Sequence, residues 1–131
     1  MKIFYCDHFE LPLPPGHRFP MEKYRLLRER VAASPFVAEG ELRAPAPATD
    51  LELGTVHEPA YLARVLEGTL APLEIRRIGF PWSAALVERS RRSVGGTLEA
   101  ARAALHDGRG VNLAGGTHHA FPDRGEGFCV F

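Results

Sequence analysis

Two adjacent histidines, His118 and His119, stand in the most glycine-rich stretch of the chain, GGTHHAFPDRGEGFC from Gly115 to Cys129. Gly115 and Gly116 precede the pair, Gly125 and Gly127 follow it, and Gly110 leads into the segment before it. Glycines let a backbone turn sharply and approach a ligand closely. Histidine is the side chain that gains and loses a proton near neutral pH, so the pair can flank a reacting group, one member shuttling a proton and the other lending charge. On extended backbone, neighbouring side chains point apart. The pair is therefore expected to be a poor joint metal ligand, unlike two histidines one helical turn apart. A surface loop that merely contains two histidines remains the competing reading, and residue types alone do not separate the two.

The other titratable candidates carry weaker signals. His8 and His17 lie in a proline-rich loop between Asp7 and Pro20 and can line a pocket or serve structure. His57 stands where a helix begins, a place for capping or packing. His106 precedes Asp107-Gly108 at a helix end, where a cation suits the dipole. Cys129, beside Phe128, reads as core rather than nucleophile, with no mark of an activated thiol. The run Cys6-Asp7-His8 is not expected to bind metal, because adjacent strand residues alternate sides.

The elements that must position the histidines follow from periodicity. Lys2–Cys6 and Val111–Leu113 read as short buried strands. Met21–Ala33, Thr55–Glu67 and Ser83–His106 carry apolar residues at helical spacing, with Gly68 and Asp107-Gly108 as stops. Leu70–Trp82 is ambiguous, and Ala44–Thr49 (APAPAT) reads as a surface connection. Gly95-Gly96 inside the longest helix costs about 1 kcal/mol per glycine relative to alanine, which points to close approach of another backbone or to a kink. Strand, helices, strand is an α/β pattern, and a loop after a strand's carboxyl end is where such sheets bind ligands. The two outer strands are expected to be parallel near neighbours joined through the long helix.

Bulk properties narrow the classes. One domain's worth of core is available in 131 residues that are 45% hydrophobic. Sixteen basic and sixteen acidic residues cancel, so no field draws nucleic acid or an anionic membrane. No apolar run approaches the roughly 20 residues needed to span a bilayer. Two separated cysteines and no signal-peptide pattern suggest a reduced, cytoplasmic protein.

GGTHHAFPDRGEGFC resembles the tandem-histidine and GFC motifs of the histone deacetylase superfamily, nearest to class IV deacetylases and their bacterial relatives. SVGGTLEAA around Gly95, GHRFPMEKYRLL from Gly16 to Leu27 and VHEPAYLARV from Val56 to Val65 resemble further segments, although His17-Arg18 replaces the family's His-Pro. The resemblance implies a three-layer α/β/α arginase/deacetylase-type fold with a mainly parallel sheet, residues 1–131 forming the N-terminal part of one such domain. It implies zinc-dependent hydrolysis of an N-acylated lysine or polyamine. His119 is then the general base and acid and His118 its electrostatic partner. Gly127 and Phe128 line the substrate channel, and Lys23 stands near its foot. The family's zinc ligands, an Asp-x-His pair and a later Asp, fall beyond Phe131, as do the carboxylates that orient the histidines and the tyrosine that stabilises the transition state. The expectation is a truncated, inactive chain that binds no zinc of its own and self-associates through its unfinished sheet. An acetylpolyamine or small-amide hydrolase and a non-catalytic binding fragment are the alternatives.

Overall fold

The computed structural model describes residues 1–7, 9–115, 118–119 and 121–131. Eight elements occur in the order β1 (Lys2–Phe4), α1 (Glu22–Ala32), β2 (Leu42–Arg43), α2 (Asp50–Leu53), α3 (Pro59–Glu67), α4 (Pro72–Ile78), α5 (Ala84–Asp107) and β3 (Gly110–Asn112). The three strands form one sheet in the order β2-β1-β3, with both pairings parallel. Ile3 faces Val111 in that register, and the ladder runs on through Leu113 N–H to the Phe4 carbonyl at 2.8 Å. The expected parallel neighbours are thus adjacent strands, joined through α5. Successive strand residues face opposite sides, and Ile3 and Phe4 are both buried, so the sheet is covered on both faces around β1. On one of them Phe4 packs with Ala100 and Ala103 of α5.

Local chemistry sets the helix ends. The Ser83 hydroxyl accepts from Leu86 N–H at 3.0 Å and caps α5, while Gly108, at φ 80°, closes it. The ambiguous segment resolves into α4. Pro72 sits in its first turn, the Glu74 carboxylate accepts from Ala71 N–H at 2.8 Å, and Gly79 ends it in the left-handed region. Helix α3 starts at Pro59 rather than Thr55.

Ala44–Thr49 is not a free surface connection, because Pro45 and Ala48 are buried. The segment is strapped along α5: Ala48 N–H donates to the Arg91 carbonyl at 3.0 Å and Arg92 Nη1 to the Pro45 carbonyl at 2.6 Å. Gly95 permits this, since a Cβ there would lie 1.9 Å from the Ala46 carbonyl oxygen. Gly96 likewise makes room for the Asn112 side chain. Helix α5 runs unbroken through both glycines, so close approach, not a kink, accounts for the pair. Gly95→Ala is expected to destabilise the chain by about 2 kcal/mol, because overpacking against backbone exceeds the ~1 kcal/mol gained in helix propensity. Urea unfolding of both forms measures this, and an alanine variant of equal or higher midpoint would refute it.

The main core collects Leu53, Tyr61, Leu62, Val65, Ile78, Leu86 and Phe131. Within it the Tyr61 hydroxyl donates to the Val130 carbonyl at 2.6 Å. Burial pushes the Tyr61 phenol well above its ordinary value, and Glu74 adds to the shift. A raised phenol pKa gives stability that is complete below the unfolded value of about 10 and is lost as pH climbs from there towards the folded value. Alkaline unfolding is therefore expected to begin above about pH 10, with the phenolate absorbance of Tyr61 appearing together with the loss of helical circular dichroism. Ionisation of all three tyrosines well before the helices melt would contradict it.

Candidate active site

The stretch that follows the tandem histidines, Phe121 to Val130, is held at two points by α3 and the residues that lead into it. At its near end the buried His57 bonds through Nδ1 to the Phe121 carbonyl at 3.0 Å, and Glu58 N–H donates to the Pro122 carbonyl at 2.9 Å. One helical turn further on, Tyr61 holds Val130. His57, just before α3, and Tyr61, in its first turn, thus grip the chain on either side of Gly125 and Gly127. Gly125 fits beneath, where a Cβ would lie 2.7 Å from the Tyr61 hydroxyl.

The GFC stretch is a tight turn. Glu126 and Cys129 exchange backbone hydrogen bonds of 3.0 and 2.9 Å. The central residues, Gly127 and Phe128, both have positive φ, 56° and 70°, as type I′ turns require. For an aromatic residue that conformation costs roughly 1–3 kcal/mol. It is held by Phe128 N–H donating to the Ile78 carbonyl at 2.7 Å and Gly127 N–H to the Arg77 carbonyl at 3.0 Å. The C-terminal end of α4 therefore presents the Phe128 ring, which packs with Phe19 and Phe80 at centroid distances of 4.9 and 5.0 Å. His17 belongs to this wall as a structural residue. Its Nδ1 accepts from Phe19 N–H at 3.1 Å, which leaves Nε2 to donate to the Gly79 carbonyl at 2.9 Å.

A cavity of about 250 Å³ opens between this aromatic wall and α5, lined by Phe19, Lys23, Arg89, His118, Gly127 and Phe128 among others. The Lys23 ammonium lies 4.7 Å from the Phe19 ring centroid. His118 is exposed on the cavity wall, while the half-buried His119 packs against Gly127 and Cys129. All five residues expected from the sequence to form the site, His118, His119, Gly127, Phe128 and Lys23, are thus in one place. His8 lies outside the described residues. His106 is exposed and bonded to Asp107 at 2.8 Å, away from the cavity.

Two features differ from the sequence reading. The adjacent imidazoles do not point apart, since their centroids are 4.0 Å apart at an interplanar angle of 45°. Two rings this close face one another, which neighbours on extended backbone would not do. Cys129 is buried as expected, yet its sulfur lies 3.9 Å from His119 Nδ1, so it belongs to the site as well as to the core. Arg89 was not foreseen at all. It is 7% exposed, and its Nε and Nη2 have no hydrogen-bond partner among the described residues. Its guanidinium stacks 4.5 Å from the Tyr24 ring centroid. No sequence signal marks it, since Arg89 is one of several arginines on α5 and only the fold selects which of them turns inward.

The histone deacetylase domain model matches residues 17–131. The chain belongs to the histone deacetylase family. Among its relatives, an uncharacterized protein of Picosynechococcus sp. is 43% identical over 128 residues, covering 98% of this chain and 43% of that protein. Histone deacetylase 2 of Arabidopsis thaliana is 31% identical over 141 residues, covering the whole chain and 36% of that enzyme. The crystal structure of a histone deacetylase homologue from Aquifex aeolicus superposes with a TM-score of 0.74 at 28% identity, over 98% of this chain and 37% of its own. A homologue structure complexed with SAHA gives 0.75 at 29% identity, with the same coverage. The α/β deacetylase-type fold is therefore established. The chain spans less than half the length of these relatives.

Proposed function

We propose that the protein of which this chain forms part hydrolyses N-acyl amides of the acyl-lysine type, with His119 as proton shuttle and His118 as its charged partner. The observation that carries this reading is that His118 and the GFC turn line one cavity with an aromatic wall, with the His119 ring 4.0 Å from that of His118. Such a wall suits the methylene stem of an acylated lysine or polyamine, and a proton donor beside it can protonate the departing amine. The family's zinc, when bound, polarises the acyl carbonyl and the attacking water. The Asp, His and Asp set that the resemblance assigns to that ion is not assembled among the described residues, so this chain's share is proton transfer, charge and channel wall. Arg89 and Lys23 supply cationic charge along the cavity, which suits the carboxylate that deacylation releases. Among the described residues no helix is both long and apolar enough to cross a membrane.

The test is direct. The complete protein, loaded with zinc, is incubated with an acetyl-lysine peptide and separately with an N-acetylated polyamine, and released acetate is measured. Turnover of the peptide supports the proposal, preference for the polyamine moves it to the small-amide branch, and release from neither defeats it.

A further inference from the structure

His118, His119 and Cys129 each offer a donor atom, and these three donors lie within 4.8 Å of one another. We infer that the three side chains form a binding site for a single thiophilic divalent ion, built from the catalytic pair itself. The geometry needs little change. With zinc–nitrogen and zinc–sulfur bonds of about 2.0 and 2.3 Å, tetrahedral nitrogen and sulfur donors stand about 3.5 Å apart. The Cys129 sulfur and His119 Nδ1 are already at 3.9 Å. His118, exposed on the cavity wall, is free to rotate inwards.

The fold keeps the other two donors together. Cys129 is held by its reciprocal backbone bonds to Glu126, and Gly127 leaves the space in which the His119 ring stands, since a Cβ there would lie 2.5 Å from Nδ1. The donor set is two imidazoles and one thiolate, which selects soft or borderline ions such as zinc, cadmium and cobalt over magnesium or calcium. Coordination is balanced by one proton: the Cys129 thiol loses its hydrogen to solvent as the sulfur–metal bond forms, while the neutral imidazoles donate lone pairs. The fourth position is left for water. This departs from the expectation that the chain binds no zinc, which rested on the missing Asp, His and Asp ligands and on two histidines alone being too few donors.

If the proposed proton shuttle is correct, an ion held here takes the imidazole lone pair that shuttling requires. Excess thiophilic metal then silences the enzyme until a chelator removes it. That consequence rests on the proposed function, whereas the site itself does not, so the test reads binding rather than turnover.

The 131-residue chain is titrated with Co²⁺ under reducing conditions, following thiolate-to-cobalt charge-transfer absorption, bound metal and protons released. One cobalt per chain, a thiolate band and about one proton per ion are expected. Cys129→Ser should lose the band, Cys6→Ser should keep it, and His118→Ala should bind at least about tenfold more weakly. Circular dichroism confirms that each variant is folded. Should Cys129→Ser not fold, alkylation of the wild-type chain substitutes for it: bound metal must protect Cys129 and not Cys6. Absence of stoichiometric binding, a band that survives loss of Cys129, or protection confined to Cys6 would each overturn the site.

Discussion

Gly127→Ala is expected to lower turnover of the complete protein about 100-fold while leaving it folded, because a reacting group displaced by about 1 Å loses roughly that factor. The new methyl group would lie 2.5 Å from His119 Nδ1, closer than any real contact, so the ring must move. The turn itself resists the change less. At φ 56° an alanine costs about 1–2 kcal/mol in the left-handed region, a loss the core around Tyr61 can absorb. The variant therefore separates positioning from stability: the rate should fall far more than the melting temperature. A variant with wild-type turnover would show that His119 is not held in a functional place by this glycine. One that simply unfolds would show that the turn's conformation, not the ring's placement, is what Gly127 protects.

The same glycine illustrates how far the sequence could be read. Helices α3 and α5 were legible because each carries its own punctuation: Ser83 and Gly108 around α5, Pro59 and Gly68 around α3. Parallel pairing of the first and last strands followed from the right-handed crossover rule, given one long helix between them. Three features were hidden because they depend on contacts distant in sequence. The two-residue strand β2 is too short to show a period of two. Ala44–Thr49 looks like a linker by composition, and only the missing side chain of Gly95 turns it into a strap on α5. The histidine pair looked divergent because extended backbone would splay the two side chains, whereas the ring centroids stand 4.0 Å apart.

Within the site, residue types announced the chemistry better than its supports. His118 and His119 were visible as candidates because they sit among glycines, and Phe128 through the family motif that the segment resembles. The roles of His57 and Tyr61 as clamps were not visible, since a histidine at a helix start ordinarily caps or packs. His57 does pack, but it also bonds to the carbonyl of Phe121, two residues after the proposed proton shuttle His119. Arg89 was silent in the linear sequence and Cys129 was read there as core; the fold brings both to the site.

The central claim is that His119 moves the proton. The attacking water must lose a proton and the leaving amine must gain one, and a single imidazole near neutral pH can serve both steps in turn. His118 lines the cavity, whereas His119 packs against Gly127 and Cys129, so an exchange of roles between the two is the rival that the measurement must exclude. The decisive measurement is the steady-state rate of acetate release from an acetyl-lysine peptide by the complete protein and by its His118→Ala and His119→Ala variants, with zinc content determined in each. The account predicts a loss of about 100- to 10,000-fold for His119→Ala, with zinc retained, and a smaller loss for His118→Ala, whose charge is partly duplicated by the metal. Wild-type turnover in His119→Ala, loss of its zinc, or a larger defect in His118→Ala would contradict it.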